Sequence, residues 1–131
     1  MRGKAMQDNG PVSEAAQRSE EVERARRALA DEIATIAAAG ALLPGTVLVR
    51  FMGCGNPNCR CKADPPQLHG PYNQWTRKIA GRTRTRRLTD DELARYGPWF
   101  DNAKRLRDAV AQLEALCLQA ASEAEGWPAD G

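Results

Sequence analysis

MGCGNPNCRCKADPPQLHGPYNQWTRKIAGRTRTRRL, residues 52–88, is the stretch on which the fold turns. It holds Cys54, Cys59 and Cys61, three of the four cysteines, together with His69, the only histidine. It closes on Arg77, Lys78, Arg82, Arg84, Arg86 and Arg87 with no acidic residue among them. The ligand-type residues follow the spacing C-x4-C-x-C-x7-H. Three thiolates and one imidazole make a closed tetrahedral set for zinc, which accepts sulfur and nitrogen without a geometric preference of its own. Gly53 and Gly55 flank the first cysteine, so the chain can fold back and aim amides at sulfur, and Pro57 stiffens the approach to Cys59. An iron–sulfur centre would also use thiolates, but this spacing matches none of the common cluster runs. The plainer alternative is three free cysteines in a loop beside a surface histidine. The density of sulfur and the glycine turns around it favour the metal. A closed site has no open position for water, so it predicts a structural metal and takes the only histidine out of catalysis.

Tyr72–Ile79 and Arg82–Leu88 read as two strands joined by the two-residue turn Ala80-Gly81. A two-residue turn fixes the pairing: Ile79 opposite Arg82, Arg77 opposite Arg84 and Trp75 opposite Arg86, all on one face. Upstream, Thr46–Met52 alternates Val47, Val49 and Phe51 against Leu48 and Arg50, a first strand. Pro65-Pro66 and Gly70-Pro71 predict irregular chain from the cysteines to Tyr72.

Outside the stretch and its first strand the chain reads as helix. Ser13 is an N-cap candidate, and Val22, Ala25, Leu29, Ile33 and Ile36 recur every three or four residues on a stripe ending near Gly40. Thr89-Asp90-Asp91-Glu92 is a capping box, and Tyr96, Trp99, Ala103, Leu106, Val110, Leu113, Cys117 and Ala120 form a heptad seam behind it. Cys117 reads as a small apolar core residue of that seam. Gly97-Pro98 predicts a kink, or a short helix followed by a fresh start. The predicted layout is a disordered tail (1–11), one domain (12–125) and a loose tail (126–131) in which only Trp127 docks. The domain comprises a helix (12–40), a zinc-tied β unit (46–88) and a second helix (89–125). This is an α+β fold: a small three-stranded antiparallel sheet with a zinc knuckle, flanked by two long antiparallel helices.

Charge is partitioned along the chain. Over the 131 residues 19 basic side chains nearly balance 17 acidic ones, yet residues 50–88 carry nine basic residues against Asp64 alone. A cationic centre on an acidic helical carrier points to a polyanion. Arginines on paired strands, with Trp75 and Tyr72 available to stack, suit nucleic acid. The expected binding set is therefore Arg77, Lys78, Arg82, Arg84, Arg86, Arg87, Trp75 and Tyr72, directed at DNA. Two plainer roles compete: basic side chains can protect a sheet edge from aggregation, or pair with the chain's own acidic helices. In that packing Trp75 and Ile79 face a helix while Lys78 and Arg87 point outward.

Of the 42% hydrophobic residues 22 are alanine, so burial needs help from a metal or a partner subunit. No apolar run is long enough to span a membrane, and Met1–Asn9 lacks the apolar core of a signal peptide. The expectation is a cytoplasmic protein, where clustered cysteines are metal ligands before they are disulfides. No nucleophile–base pair or phosphate loop points to an enzyme. The competing function is a protein-interaction module using the heptad seam for homodimerisation or a partner helix, with zinc as a staple; a thiolate redox switch is a third.

CGNPNCRC, HGPY and IAGRTRTRRL before a capped helix resemble an uncharacterised family of small bacterial proteins, a domain of unknown function. Its pattern is C-G-x-P-x-C-x-C, H-G-P-Y and a G-[KR]-T turn ahead of a long helix. The likeness spans about residues 46–120 and includes Cys54, Cys59, Cys61, His69, Gly70, Pro71 and Tyr72. It implies a neighbourhood of mobile-element genes and a DNA-related accessory role, but supplies no activity.

Overall fold

A computed structural model describes residues 13–128; the tail readings for 1–11 and 129–131 lie outside the described residues. The elements run α1 (Glu14–Ala39), β1 (Thr46–Met52), β2 (His69–Ile79), β3 (Arg82–Leu88) and α2 (Asp90–Glu125). The sheet is antiparallel with strand order β1-β2-β3, so the fold is α+β with two helices and a three-stranded antiparallel sheet. The chain divides into two compact units. One comprises α1 through Ala38 with α2 from Arg107; the other runs from Ala39 to Leu106.

In the helical unit Ser13 caps α1, its Oγ accepting from the Ala16 amide at 3.1 Å. Val22, Leu29 and Ile33 are half-buried and Ile36 is fully buried, as the stripe requires. Arg18 near the start of α1 bonds Glu123 near the end of α2 at 2.5 Å, which makes the pair antiparallel. The α2 seam keeps Ala103, Leu106, Leu113 and Ala120 of the expected set and shifts by one residue at the positions between them. Ala109 is 1% exposed and Leu116 half-buried, whereas Val110 is 37% exposed and Cys117 is exposed, not a core residue. Both registers have heptad spacing, and with alanine so frequent the bulkier side chain does not mark the inner face. Gly126 at φ +75° ends α2, with the Gly126 and Trp127 amides both donating to Ser122 O. Trp127, expected to dock, is exposed.

The β unit contains the sheet and the first turns of α2. Thr89 and Glu92 cap reciprocally: the Thr89 amide donates to Glu92 Oε1 at 2.8 Å, and the Glu92 amide to Thr89 Oγ1 at 3.0 Å. That amide bond, the strongest influence on it, holds the Glu92 carboxyl below its ordinary pKa. α2 then passes through Pro98 as one continuous helix, so Gly97-Pro98 does not divide it into a short helix and a fresh start. One face of the sheet carries Asn73, Trp75 and Leu88 towards the core. The Trp75 ring meets Phe100 edge-on at 5.4 Å, and Leu88, Phe100 and Ala103 are buried. Buried Asn73 is satisfied by donating from Nδ2 to Leu88 O (3.2 Å) and to Asp90 Oδ1 (2.8 Å), which ties β2 to the β3–α2 junction. The 40–45 connection is fixed by Leu43 N to Trp99 O (3.2 Å), Trp75 Nε1 to Pro44 O (2.8 Å) and Asn102 Nδ2 to Gly40 O (3.4 Å).

The hairpin register agrees with the turn chemistry: Ile79 opposes Arg82, Arg77 opposes Arg84 and Trp75 opposes Arg86. Ala80 and Gly81 both take positive φ, 52° and 79°, as a primed two-residue turn demands. β2, however, begins at His69 rather than Tyr72. Gly70 adopts φ +131°, and an irregularity between Arg50 and Met52 lets the ladder resume at Met52 opposite His69. A bulge of this kind absorbs a Gly-Pro pair that would interrupt regular pairing. A side chain at Gly70 would place its Cβ 2.8 Å from Arg50 O, so glycine is required.

Candidate functional site

That extra pairing builds the cysteine cluster. β1 runs into Cys54 two residues after Met52, and β2 starts at His69 opposite Met52, so the sheet brings the first and last ligands together across 15 positions. The loop between them is held by its own backbone. Asn56 Oδ1 accepts from the Asn58 amide at 2.9 Å and Asn56 O from the Cys59 amide at 3.2 Å. A single 3-10 turn over Arg60–Lys62 then places Cys61 inside, with Arg60 O accepting from both Ala63 and Gln67.

The sulfurs and ring nitrogens of Cys54, Cys59, Cys61 and His69 all lie within 4.8 Å of one another. Cys54 Sγ and Cys61 Sγ are 3.7 Å apart, and Cys59 Sγ is 3.1 Å from His69 Nε2. A tetrahedron of zinc–sulfur bonds has a sulfur–sulfur edge of about 3.8 Å, so the first distance is that of two ligands of one ion. Cys61 is buried while Cys54, Cys59 and His69 are half-buried, so the cluster opens towards solvent on one side. The four residues are compatible with a metal site.

Backbone and neighbouring thiols divide the cysteines electrostatically. The Cys61 amide bonds to Cys59 sulfur and, as the largest influence, brings the Cys59 thiol down to about 6, with Cys54, Cys61 and His69 acting the same way. At Cys54 the strongest single influence, the Asn56 amide, lowers the pKa, but it is outweighed by Cys59, burial and Cys61, and the thiol is raised. Crowded thiols resist simultaneous ionisation unless a cation shares the space. The Cys54 amide also donates to Cys61 Sγ at 3.3 Å, the amide-to-sulfur contact that the glycine turns suggested. Two supporting residues escape a ligand-spacing search. Lys62 Nζ donates to Cys54 O at 2.6 Å, bracing the first ligand, and Asn56 starts the turn. The Asn-Pro-Asn sequence was the available signal for the latter; nothing in sequence marks the lysine.

The expected nucleic-acid residues fall into two groups. Trp75 is committed to Phe100 and Pro44, and the Arg77 guanidinium lies 4.1 Å over its ring. Arg77 Nη1 is buried without a hydrogen-bond partner. Tyr72 is half-buried with the Arg87 guanidinium stacked 3.7 Å from its ring centre. Arg82, Arg84, Arg86 and Arg87 on β3, and Lys78 on β2, are exposed. Among the described residues none of the six hairpin cations takes part in an ion pair; ion pairs on the helices join Arg18 to Glu123 and Arg26 and Arg27 to Glu23. Among the described residues no helix is long and apolar enough to cross a membrane.

Residues 19–96 match the family model described as a domain of unknown function, DUF6788, and the chain belongs to that family. The matched region starts in α1 and ends at Tyr96, so the first helix belongs to the shared domain while most of α2 lies beyond it. No curated protein and no solved structure matches the chain.

Proposed function

We propose that this member of the DUF6788 family is a non-enzymatic, zinc-stapled accessory protein that binds nucleic acid through its β2–β3 hairpin. The observation that supports this reading is that, among the described residues, none of the hairpin's six cations forms an ion pair with a carboxylate. Of the competing role, pairing with the chain's own acidic residues, the described residues show the longer-range pull of Arg86 on the Glu92 carboxylate. Exposed Lys78 and Arg87 present charge on one face of the same ribbon. Zinc is the ion that three thiolates and one imidazole select, and a four-residue set closes its shell, so its role is structural. The mobile-element neighbourhood implied by the family resemblance, and a cytoplasmic location, fit a DNA-directed accessory role.

The test is fluorescence anisotropy with labelled single- and double-stranded oligonucleotides over a salt series. Engagement of about six phosphates gives a slope of about −5 in log K against log salt. Replacing Arg84 and Arg86 by Ala reduces that slope by roughly 2. Absence of binding at low ionic strength rejects the reading. A second reading, an interaction module, is favoured by Val110 and Leu118, 37% and 62% exposed on α2. Sedimentation of the wild type and Leu118→Glu decides it: a dimer lost on charging Leu118 supports helix-mediated assembly, and a monomer in both rejects it.

A further inference from the structure

β1 pairs with β2 only as far as Thr46 opposite Thr76. Beyond that point the hairpin is a two-stranded arm made of Arg77, Lys78 and Ile79, the Ala80-Gly81 turn, and Arg82, Thr83 and Arg84. Arg77 at its base still lies against Trp75 and beside Gly45, and the two residue pairs beyond it together with the turn give a reach of about 10 Å, more than the roughly 7.5 Å depth of the DNA minor groove. Four of its eight residues are cations and none is acidic. At its end stands Ile79, 50% exposed, opposite Arg82 and followed by Ala80 and Gly81. At the tip Ile79, Ala80 and Gly81 carry no side-chain donor or acceptor, and Arg82 is the polar group beside them; the tip thus offers an apolar side chain flanked by positive charge.

Resting on the nucleic-acid reading above, we infer that this arm enters the minor groove of duplex DNA and wedges Ile79 between neighbouring base pairs, bending the duplex. Architectural proteins open and kink DNA by inserting an apolar side chain from the minor groove while cations hold the flanking phosphates, and they discriminate by deformability, not base identity. Here Arg82 and Arg84 on one strand and Lys78 on the other stand beside the wedge, and the turn is small enough to follow it into the groove. Recognition is accordingly tolerant of sequence and favours flexible pyrimidine–purine steps. Strand propensity alone accounts for an isoleucine at a strand end, so the diagnostic quantity is the bend and not the affinity.

The experiment uses the full zinc-loaded chain and a duplex of about 25 base pairs with donor and acceptor dyes at its ends, a length for which bends of tens of degrees are measurable. Binding is followed by anisotropy and bending by energy transfer. The expected result is that the wild type brings the duplex ends closer. Ile79→Ala binds within about twofold of wild type but loses most of the energy-transfer change, and Ile79→Phe retains it. Far-ultraviolet circular dichroism verifies that both variants are folded. Duplex binding without end-to-end shortening, or equal shortening by Ile79→Ala, overturns the wedge while leaving nucleic-acid binding intact. Binding confined to single strands does the same. No binding to any nucleic acid overturns both.

Discussion

Replacing Trp75 separates a structural tryptophan from a stacking one. In the native protein its indole N–H donates to Pro44 O at 2.8 Å, its ring edge meets Phe100 at 5.4 Å, and Arg77 covers it at 4.1 Å. Trp75→Phe retains a ring against Phe100 but deletes the hydrogen bond. That loss is worth about 1 kcal/mol, and Pro44 O, being exposed, regains water and adds little. Some ring area over Arg77 is also lost, worth about 0.5 kcal/mol at a half-exposed site. The expected destabilisation is about 1–2 kcal/mol. Trp75→Ala empties the space against Phe100 and costs about 3–5 kcal/mol. Urea unfolding followed by circular dichroism measures both. With a slope of about 2 kcal/mol per molar urea, the phenylalanine variant unfolds roughly 0.5–1 M earlier. Folded Trp75→Phe binds an oligonucleotide within about twofold of wild type, because the ring faces the protein and not a base. An unchanged urea midpoint with a tenfold loss of nucleic-acid affinity would refute this assignment and return Trp75 to the binding surface.

Three further outcomes follow from the same geometry. Lys62→Met removes the 2.6 Å brace on Cys54 O and lowers zinc affinity by about tenfold in competition with a chromogenic chelator, the usual scale for a supporting contact; unchanged affinity removes the brace from the site. Ala80→Asn places a residue tolerant of φ 52° in the hairpin turn and raises stability by about 0.5–1 kcal/mol, whereas Ala80→Val at the same position lowers it, both read from thermal melts. Glu23, held down to about 2 chiefly by its hydrogen bond to Arg26 and then by Arg27, contributes stability above the ordinary value of 4.5 that is lost as pH falls towards 2. A carboxyl-detected NMR titration gives a midpoint well below 4.5 that moves back up in Arg26→Gln, and less so in Arg27→Gln; a midpoint of 4.5 in the wild type contradicts the pairing.

Much of the β unit was legible because its signals are local. The Ala80-Gly81 turn sets the β2–β3 register by itself, since two residues leave one way to pair the flanking strands. Ser13, Thr89 and Glu92 cap their helices as read, because a cap involves only amides two or three positions away. The Cys3His cluster was visible for a related reason: metal ligands are few residue types, and four such residues within sixteen positions stand out.

What sequence by itself determined, then, was the inventory: which residues form the candidate metal cluster, where helices start and which strand residues oppose which. Tertiary structure decided direction. Gly70-Pro71 looked like a break, yet opposite the irregularity at Phe51 it lets β2 start three residues early and delivers His69 to the cysteines. Trp75 looked equally suited to stack on a base, until Phe100, 25 positions away, and Pro44 claimed its two sides. The inner face of α2 passed to Ala109 and Leu116 instead of Val110 and Cys117. In each case the local pattern was satisfied by two orientations of nearly equal energy, and contacts distant in sequence chose between them.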